Sequence, residues 1–482
     1  MSDIEIKRIN ESFVYVNCED VGIYYELNDS FSFYVDGYKF MPKYRNGLWS
    51  GKVYLFNMNN KTTYYGLIGQ LIKFAKYNGY SISFCDDINK NFDEVQYDFS
   101  DLNLPFEPYG YQVNAINKIL NNKKRLIVSP TGSGKSLIIY CSVRKIMEQG
   151  KKILIVVPTV SLVEQLYKDF VDYGWNSLDE HVHKIYSGKE KNNSYDVTLT
   201  TWQSIFKLNK NWFEDFDAVF IDEAHLASAN SLKGIMEKSV NAQYRVGLTG
   251  TVQDAKANKL TLIGLFGEPY DTIKSKKLMD DGVLSDLKIN ALILNHIDVD
   301  KKAVSKMKYQ EELNVIVEDR KRNNLILNLA VDQEYNTLIL FNYVERHGEK
   351  LYSILLEKCQ DKKIFFIHGN TPVNDREYAR EFTEKNNNVI ILASYGVFST
   401  GINIKNLNCV IFAHPYKSKV KNLQSIGRVL RIAPNGKSAV LYDIADDYSW
   451  KNKKNTTYKH FLERLELYEK EKFNCKIKVI DV

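Results

Sequence analysis

Two rhythms of apolar and polar positions divide the chain. Over residues 1–100, short apolar runs alternate with turn signals such as Asn46-Gly47 and Asn78-Gly79, which predicts a small α+β module. Residues 101–110 (DLNLPFEPYG) hold two prolines and a glycine and read as a connector. From 111 onward the rhythm changes to helical stretches separated by continuous β-branched or apolar runs, at 126–128, 153–157, 197–200, 219–222 and 245–248. Runs without polar alternation suit strands buried on both faces, so they predict a parallel sheet in an α/β fold. A mixed-charge stretch, 271–287, precedes a second such series at 289–294, 337–341, 363–368, 389–393, 409–413 and 438–442. After Trp450 comes a basic run (Lys451, Lys453, Lys454, Lys459). Phe461, Leu465 and Tyr468 then recur at helical spacing, which predicts an amphipathic helix packed on the body. The expected organisation is therefore an accessory module at 1–100, a first lobe at 101–275, a second at 276–450 and a basic, helical C-terminal tail at 451–482.

Composition narrows the class. The 482 residues suffice for two to four domains, and 44% hydrophobic with 26% charged residues is ordinary for a globular protein. No apolar run approaches the length of a membrane span, and the first residues lack a signal-peptide core, so no membrane partner is expected. The six cysteines are scattered without a CxxC pair, which argues against a zinc site or a disulfide framework and fits a reducing cytoplasm. A net charge of +6 permits a nucleic-acid partner without demonstrating one.

The chemistry starts at Ser129-Pro130-Thr131-Gly132-Ser133-Gly134-Lys135-Ser136. A buried strand (125–129) runs into it and a helix (135–148) leaves it, the context a phosphate-binding loop needs. Gly132 and Gly134 let backbone N–H groups point at phosphate oxygens; Lys135 reaches the β- and γ-phosphates; Ser136 can ligate Mg²⁺. Ser129 stands where the strict pattern has glycine. Far downstream, Asp222-Glu223-Ala224-His225 follows another apolar strand, which sets Asp222 beside the metal and Glu223 where it can orient or deprotonate a water. ATP and Mg²⁺ are the cofactors this implies. The second series of strands has no phosphate loop of its own but carries Gln424-Ser-Ile-Gly427-Arg428-Val-Leu-Arg431, with two arginines at i and i+3 that can stabilise charge on a transferred phosphoryl group.

In this order, over about residues 109–445, the motifs resemble those of superfamily 2 helicases, which implies two tandem RecA-like parallel-sheet lobes. The resemblance makes Tyr111-Gln112 the adenine-reading motif, although Gly110 departs from the usual residue there. It likens Pro158-Thr159 and Thr200-Thr201-Trp202-Gln203 to the segments that face a nucleic-acid backbone. Thr249-Gly250-Thr251 falls where the coupling motif belongs, and Ser394 through Thr400-Gly401-Ile-Asn403 matches a further backbone-facing motif, with Asn403 replacing the usual Asp. Thr159, Thr201 and Thr400 are then backbone-contact candidates, for which ordinary helix capping is the competing reading. His225, Thr249, Thr251 and Gln424 are candidates for coupling, and Gly401 for the nucleotide site. His368-Gly369 ends a strand where relatives place a loop near nucleic acid.

The N-terminal stretch 36–52, in which Lys39, Lys43, Arg45 and Lys52 interleave with Tyr44 and Trp49, resembles the accessory module of UvsW-type helicases of T-even-like phages. Cations there can neutralise phosphates, and Tyr44 or Trp49 can stack on an unpaired base or cap a duplex end, with packing into the module's own core the competing reading for Trp49. The resemblance implies an ATP-dependent DNA helicase or translocase acting on branched or forked DNA and on the RNA–DNA hybrid of R-loops. It also implies a monomer, with accessory recombination proteins as further partners. An RNA helicase and a restriction motor stay open as alternatives, the latter without a nuclease signature. An ATP-switched nucleic-acid scaffold is the alternative outside enzymes, and intact Glu223 and Arg428 argue against it.

Overall fold

The structure, a computed structural model, describes residues 2–35, 37–85, 88, 94–186, 188, 190–191, 194–228, 230–250, 256–401, 404, 406–416 and 438–482, and at 227–228, 256–258 and 399–401 the backbone alone. Two compact units result, one built on Met1–Ser129 and Gly134–Thr272, the other on Pro130–Ser133 and Ile273–Val482. Among the described residues no helix is long and apolar enough to cross a membrane.

The first unit opens with β1 (Ile4–Arg8), β2 (Phe13–Cys18), the hairpin β3 (Ser32–Tyr34) and β4 (Lys52–Tyr54), then β5 (Thr62–Tyr64) and β6 (Ile82–Phe84). A four-stranded sheet has the order β5-β2-β1-β6. Ile4, Ile6, Val14 and Val16 alternate inward from β1 and β2 and are fully buried under the helices Val21–Ser30 and Ile68–Asn78.

This module shares one apolar core with the lobe that follows it, Ile4 and Leu71 falling in the same cluster as Leu126, Val219 and Leu262. The polar fastening is as extensive. Arg245, 2% exposed, donates from Nη1 to Ser12 Oγ (3.0 Å) and the Ser239 carbonyl, from Nη2 to the Met236 carbonyl and from Nε to the Leu265 carbonyl. Tyr64 donates its hydroxyl to Glu237, Gln70 its amide to Glu268, and Lys124 pairs with Glu11. At Gly66 a Cβ would sit 2.1 Å from the Ile263 carbonyl oxygen, so no larger residue fits that seam. The alternation of short runs indicates a separate module; it does not reveal that the module is built into the lobe.

The lobe's sheet is entirely parallel, in the order β13-β7-β12-β11-β8-β10-β9. Its strands are β7 (Lys124–Val128), β8 (Ile153–Val157), β9 (Val182–Ile185), β10 (Val197–Thr201), β11 (Ala218–Ile221), β12 (Tyr244–Thr249) and β13 (Pro269–Asp271). The five strands expected from sequence are the inner ones. The two that the pattern does not announce, β9 and β13, are the edges, where His183, Lys184 and a proline are tolerated because one side needs no ladder.

The second unit carries another all-parallel sheet, in the order β16-β17-β15-β18-β19-β14-β20. Its strands are β14 (Leu287–Asn295), β15 (Thr337–Phe341), β16 (Lys363–Ile367), β17 (Val389–Ser394), β18 (Cys409–Phe412), β19 (Ala439–Asp447) and β20 (Asn474–Asp481). The tail helix forms at Thr456–Lys470 with Phe461 and Tyr468 buried, as their spacing predicts. The chain then differs from a helical tail: β20 pairs with β14 along eight residues. Its alternating Lys476 and Lys478 are exposed, as an edge strand permits.

Two buried arginines in this unit are matched by buried aspartates. Arg464 grips Asp443 with two hydrogen bonds (2.8 and 2.7 Å), and Tyr468 donates to the same carboxylate. Arg322 donates to both oxygens of Asp446, whose Oδ1 also lies 3.0 Å from His296 Nε2.

Candidate active site

β7 delivers the chain to Ser129, and the helix Lys135–Met147 carries it away. Gly132 (φ +84°) and Gly134 (φ +79°) take the left-handed conformation that folds the turn between them back on itself. Gly134 caps the helix without a side-chain hydrogen bond, so the first amides of the helix face the turn. Gly134 is also enforced by contact: a Cβ there would meet Gln112 Nε2 at 2.3 Å. Gln112 is buried and accepts from the Tyr109 backbone N–H, so the glutamine expected to read adenine lies against the phosphate loop. Lys135 Nζ spans the turn to the Ser129 carbonyl at 3.2 Å. Ser129 explains its own departure from glycine: fully buried, its hydroxyl pairs with Thr272 at 2.7 Å.

Asp222 and Glu223 follow β11. Burial and, after it, the neighbouring Glu223 charge push the Asp222 carboxyl up to about 6, against the pull of Lys135. A buried carboxylate within the influence of Lys135 suits a hard divalent cation, and the glycine turn suits a triphosphate. Glu223 adopts φ +51°, a left-handed backbone that costs a non-glycine residue about 1 kcal/mol. The strain turns the chain sharply, so that Glu223 Oε2 comes within 3.3 Å of His225 Nδ1, which also lies 3.1 Å from Thr249 Oγ1. The acidic pair and the end of β12 are thus joined by one histidine.

The nucleic-acid candidates separate into classes. Thr159 caps the helix Val160–Asp172, accepting from the Leu162 N–H at 3.4 Å. Thr201 is buried with its hydroxyl 2.9 Å from Ser204 Oγ. Thr400 and Gly401 fall in the helix Tyr395–Gly401, where only backbone is described. In the N-terminal module, Trp49 is half-buried and donates its indole N–H to the Lys52 carbonyl, while Lys52 pairs with Asp29 at 3.0 Å; both brace the β3–β4 hairpin. Lys39, Lys43 and Arg45 stay exposed on the intervening turn, around Phe40, which is 75% exposed. Phe40 is not singled out from the sequence, where Tyr44 and Trp49 stand as the stacking candidates; the signal was the charge, since no Asp or Glu occurs between Asp36 and Asp86. Thr251, Asn403, Gln424, Arg428 and Arg431 lie outside the described residues.

Comparison with known proteins joins these parts. Residues 3–85 match the family model described as DNA helicase UvsW, N-terminal. Residues 105–254 match that of the type III restriction enzyme res subunit, and 320–433 that of the helicase conserved C-terminal domain. The ATP-dependent DNA helicase uvsW of Enterobacteria phage T4 is 35% identical over the full length of both chains. The crystal structure of T4 UvsW aligns with 99% of each chain at 33% identity and a TM-score of 0.51. A fragment of a putative HsdR subunit of a type I restriction enzyme from Vibrio vulnificus, 19% identical, covers 79% of this chain and 70% of its own at a TM-score of 0.58, a likeness of fold alone.

Proposed function

The chain belongs to the UvsW helicase family, and from that premise we propose that it is an ATP-dependent DNA helicase and translocase that remodels branched DNA. Stalled forks, Holliday junctions and R-loops are its proposed substrates. The observation that carries the reading is the chain of contacts from the phosphate loop to motif ends: Lys135 across the glycine turn, Asp222 under its influence, and His225 bridging Glu223 to Thr249.

In this reading the turn at 130–134 wraps the phosphates, and Lys135 holds the β- and γ-oxygens. Ser136 and Asp222 would hold Mg²⁺, which would supply positive charge to offset that of the phosphates. Glu223 orients the attacking water and takes its proton. His225 ties the position of Glu223 to Thr249, so a change in phosphate state reaches the end of β12. Arg428 and Arg431 supply cationic charge to the transferred phosphoryl group. Lys39, Lys43 and Arg45 hold duplex phosphates near the branch, and Phe40 offers a ring to an unpaired base; Lys52 and Trp49 support the hairpin that presents them.

The deciding experiment is ATP hydrolysis measured with single-stranded DNA, forked DNA, a four-way junction and RNA in turn. Stimulation greatest with branched DNA is expected; equal or greater stimulation by RNA would move the substrate assignment, and no stimulation by any polynucleotide would end it. Lys135→Ala should abolish turnover, and Glu223→Gln should retain bound ATP while hydrolysing it at least about a hundredfold more slowly.

A further inference from the structure

Ser136 has a hydroxyl neighbour that the phosphate-loop pattern does not include. The Tyr173 phenol lies 2.7 Å from Ser136 Oγ. Tyr173 is the C-cap residue of the helix Val160–Asp172, and its ring is held on two sides. It meets Phe106 edge-on at 5.8 Å and Tyr140 at 5.4 Å, and Tyr140 in turn packs against Phe170 and Trp175. A phenol donates more readily than an aliphatic hydroxyl and accepts less readily, because its lone pairs are delocalised into the ring. Tyr173 is therefore the donor and Ser136 Oγ the acceptor. That bond uses one serine lone pair and leaves the second, together with the serine proton, for other partners.

We propose that Tyr173 is a positioning residue for the nucleotide site: by donating to Ser136 Oγ it fixes the serine rotamer and leaves the remaining lone pair to the divalent cation that accompanies the triphosphate. A serine side chain left to itself distributes over three staggered rotamers and must be ordered when the cation arrives. A ring already clamped by aromatic neighbours supplies that order beforehand. The inference rests on the nucleotide-site reading above and adds a residue that no phosphate-binding motif contains.

The test uses the full-length chain and Tyr173→Phe, which keeps the ring and removes only the hydroxyl. Binding of a fluorescent N-methylanthraniloyl-ATP is titrated in EDTA and then against rising Mg²⁺. The expected result is an apparent Mg²⁺ affinity of the nucleotide complex about three- to tenfold weaker than in the wild type, the size of one lost hydrogen bond. In a Ser136→Ala background, Tyr173→Phe should add nothing. An unchanged Mg²⁺ titration overturns the proposal. So does a tighter one, which would make Tyr173 a competitor of the cation, and so does an equal loss in the Ser136→Ala background, which would mark a packing role. Wild-type protein that binds no nucleotide under either condition would instead refute the nucleotide site itself, so the two failures are distinguishable.

Discussion

Asp222 shows how one residue sets function against stability. Its carboxyl titrates near 6 in the folded chain against 3.8 for an ordinary aspartate. The folded state therefore keeps a proton that the unfolded state has lost, and the group destabilises the fold increasingly as pH rises from 3.8 through 6, and by a constant amount above. Asp222→Asn should end ATP hydrolysis and yet raise the melting temperature of nucleotide-free, Mg²⁺-free protein at pH 7.5, by about 2–4 °C per kcal/mol recovered. Calorimetry in EDTA checks this; an unchanged or lower melting temperature would show that the burial of Asp222 costs nothing. His296 has the opposite sign. Burial opposes its charge, but hydrogen bonds to Asp319 and Asp446 outweigh burial and raise its titration above 6.5. Its stabilising effect is thus full below 6.5 and lost as pH rises through the folded value. The loss of stability caused by His296→Gln, read by urea denaturation, should be largest near pH 6 and shrink toward pH 9.

At the scale of elements, the N-terminal module is fastened to β12 by Arg245, whose guanidinium burial pushes down to about 9. Arg245→Met removes the guanidinium from three carbonyls and the Ser12 hydroxyl, the Met236 carbonyl keeping only its bond from Ser12, and should cost about 2–4 kcal/mol. The module should then become sensitive to limited proteolysis; resistance equal to wild type would mean that the apolar seam suffices. The turn that displays Lys39, Lys43 and Arg45 makes a separate prediction. Replacing all three by Ala should lower the slope of log affinity against log salt for forked DNA by up to about 3, with little change in ATP binding. An unchanged slope would remove this turn from the DNA contact. These elements also mark how far the sequence was legible. Inner strands such as β8 and β11 are apolar on both faces and announce themselves, and glycines at 132 and 134 announce the turn. Strands β9, β13 and β20 do not, because polar residues or a proline interrupt them, whereas the edge strand β16 is legible from its apolar run. Arg464 looks like a surface charge, since its partner Asp443 lies on another element, and nothing in the run at 245–248 shows that Arg245 reaches back to Ser12. The left-handed Glu223 and the Tyr173–Ser136 contact are likewise products of tertiary packing, and Trp49 and Lys52 brace a hairpin whose exposed cations only the fold distinguishes.

At the scale of the molecule, each unit has its own parallel sheet and its own buried core. Scanning calorimetry of the whole chain should therefore resolve two transitions, and a chain ending at Lys470 should lose the one belonging to the second unit while keeping the first. A single transition lowered as a whole would show that the units melt together. The place of β14 has a consequence for biosynthesis. It lies between β19 and β20, and both of these strands come later in the chain. A ribosome making about 5–20 residues per second needs on the order of ten to thirty seconds to go from Asn295 to the end of β19. For that interval a nine-residue apolar strand has neither of its partners, which makes the nascent chain a natural client for a holding chaperone until its last strands emerge.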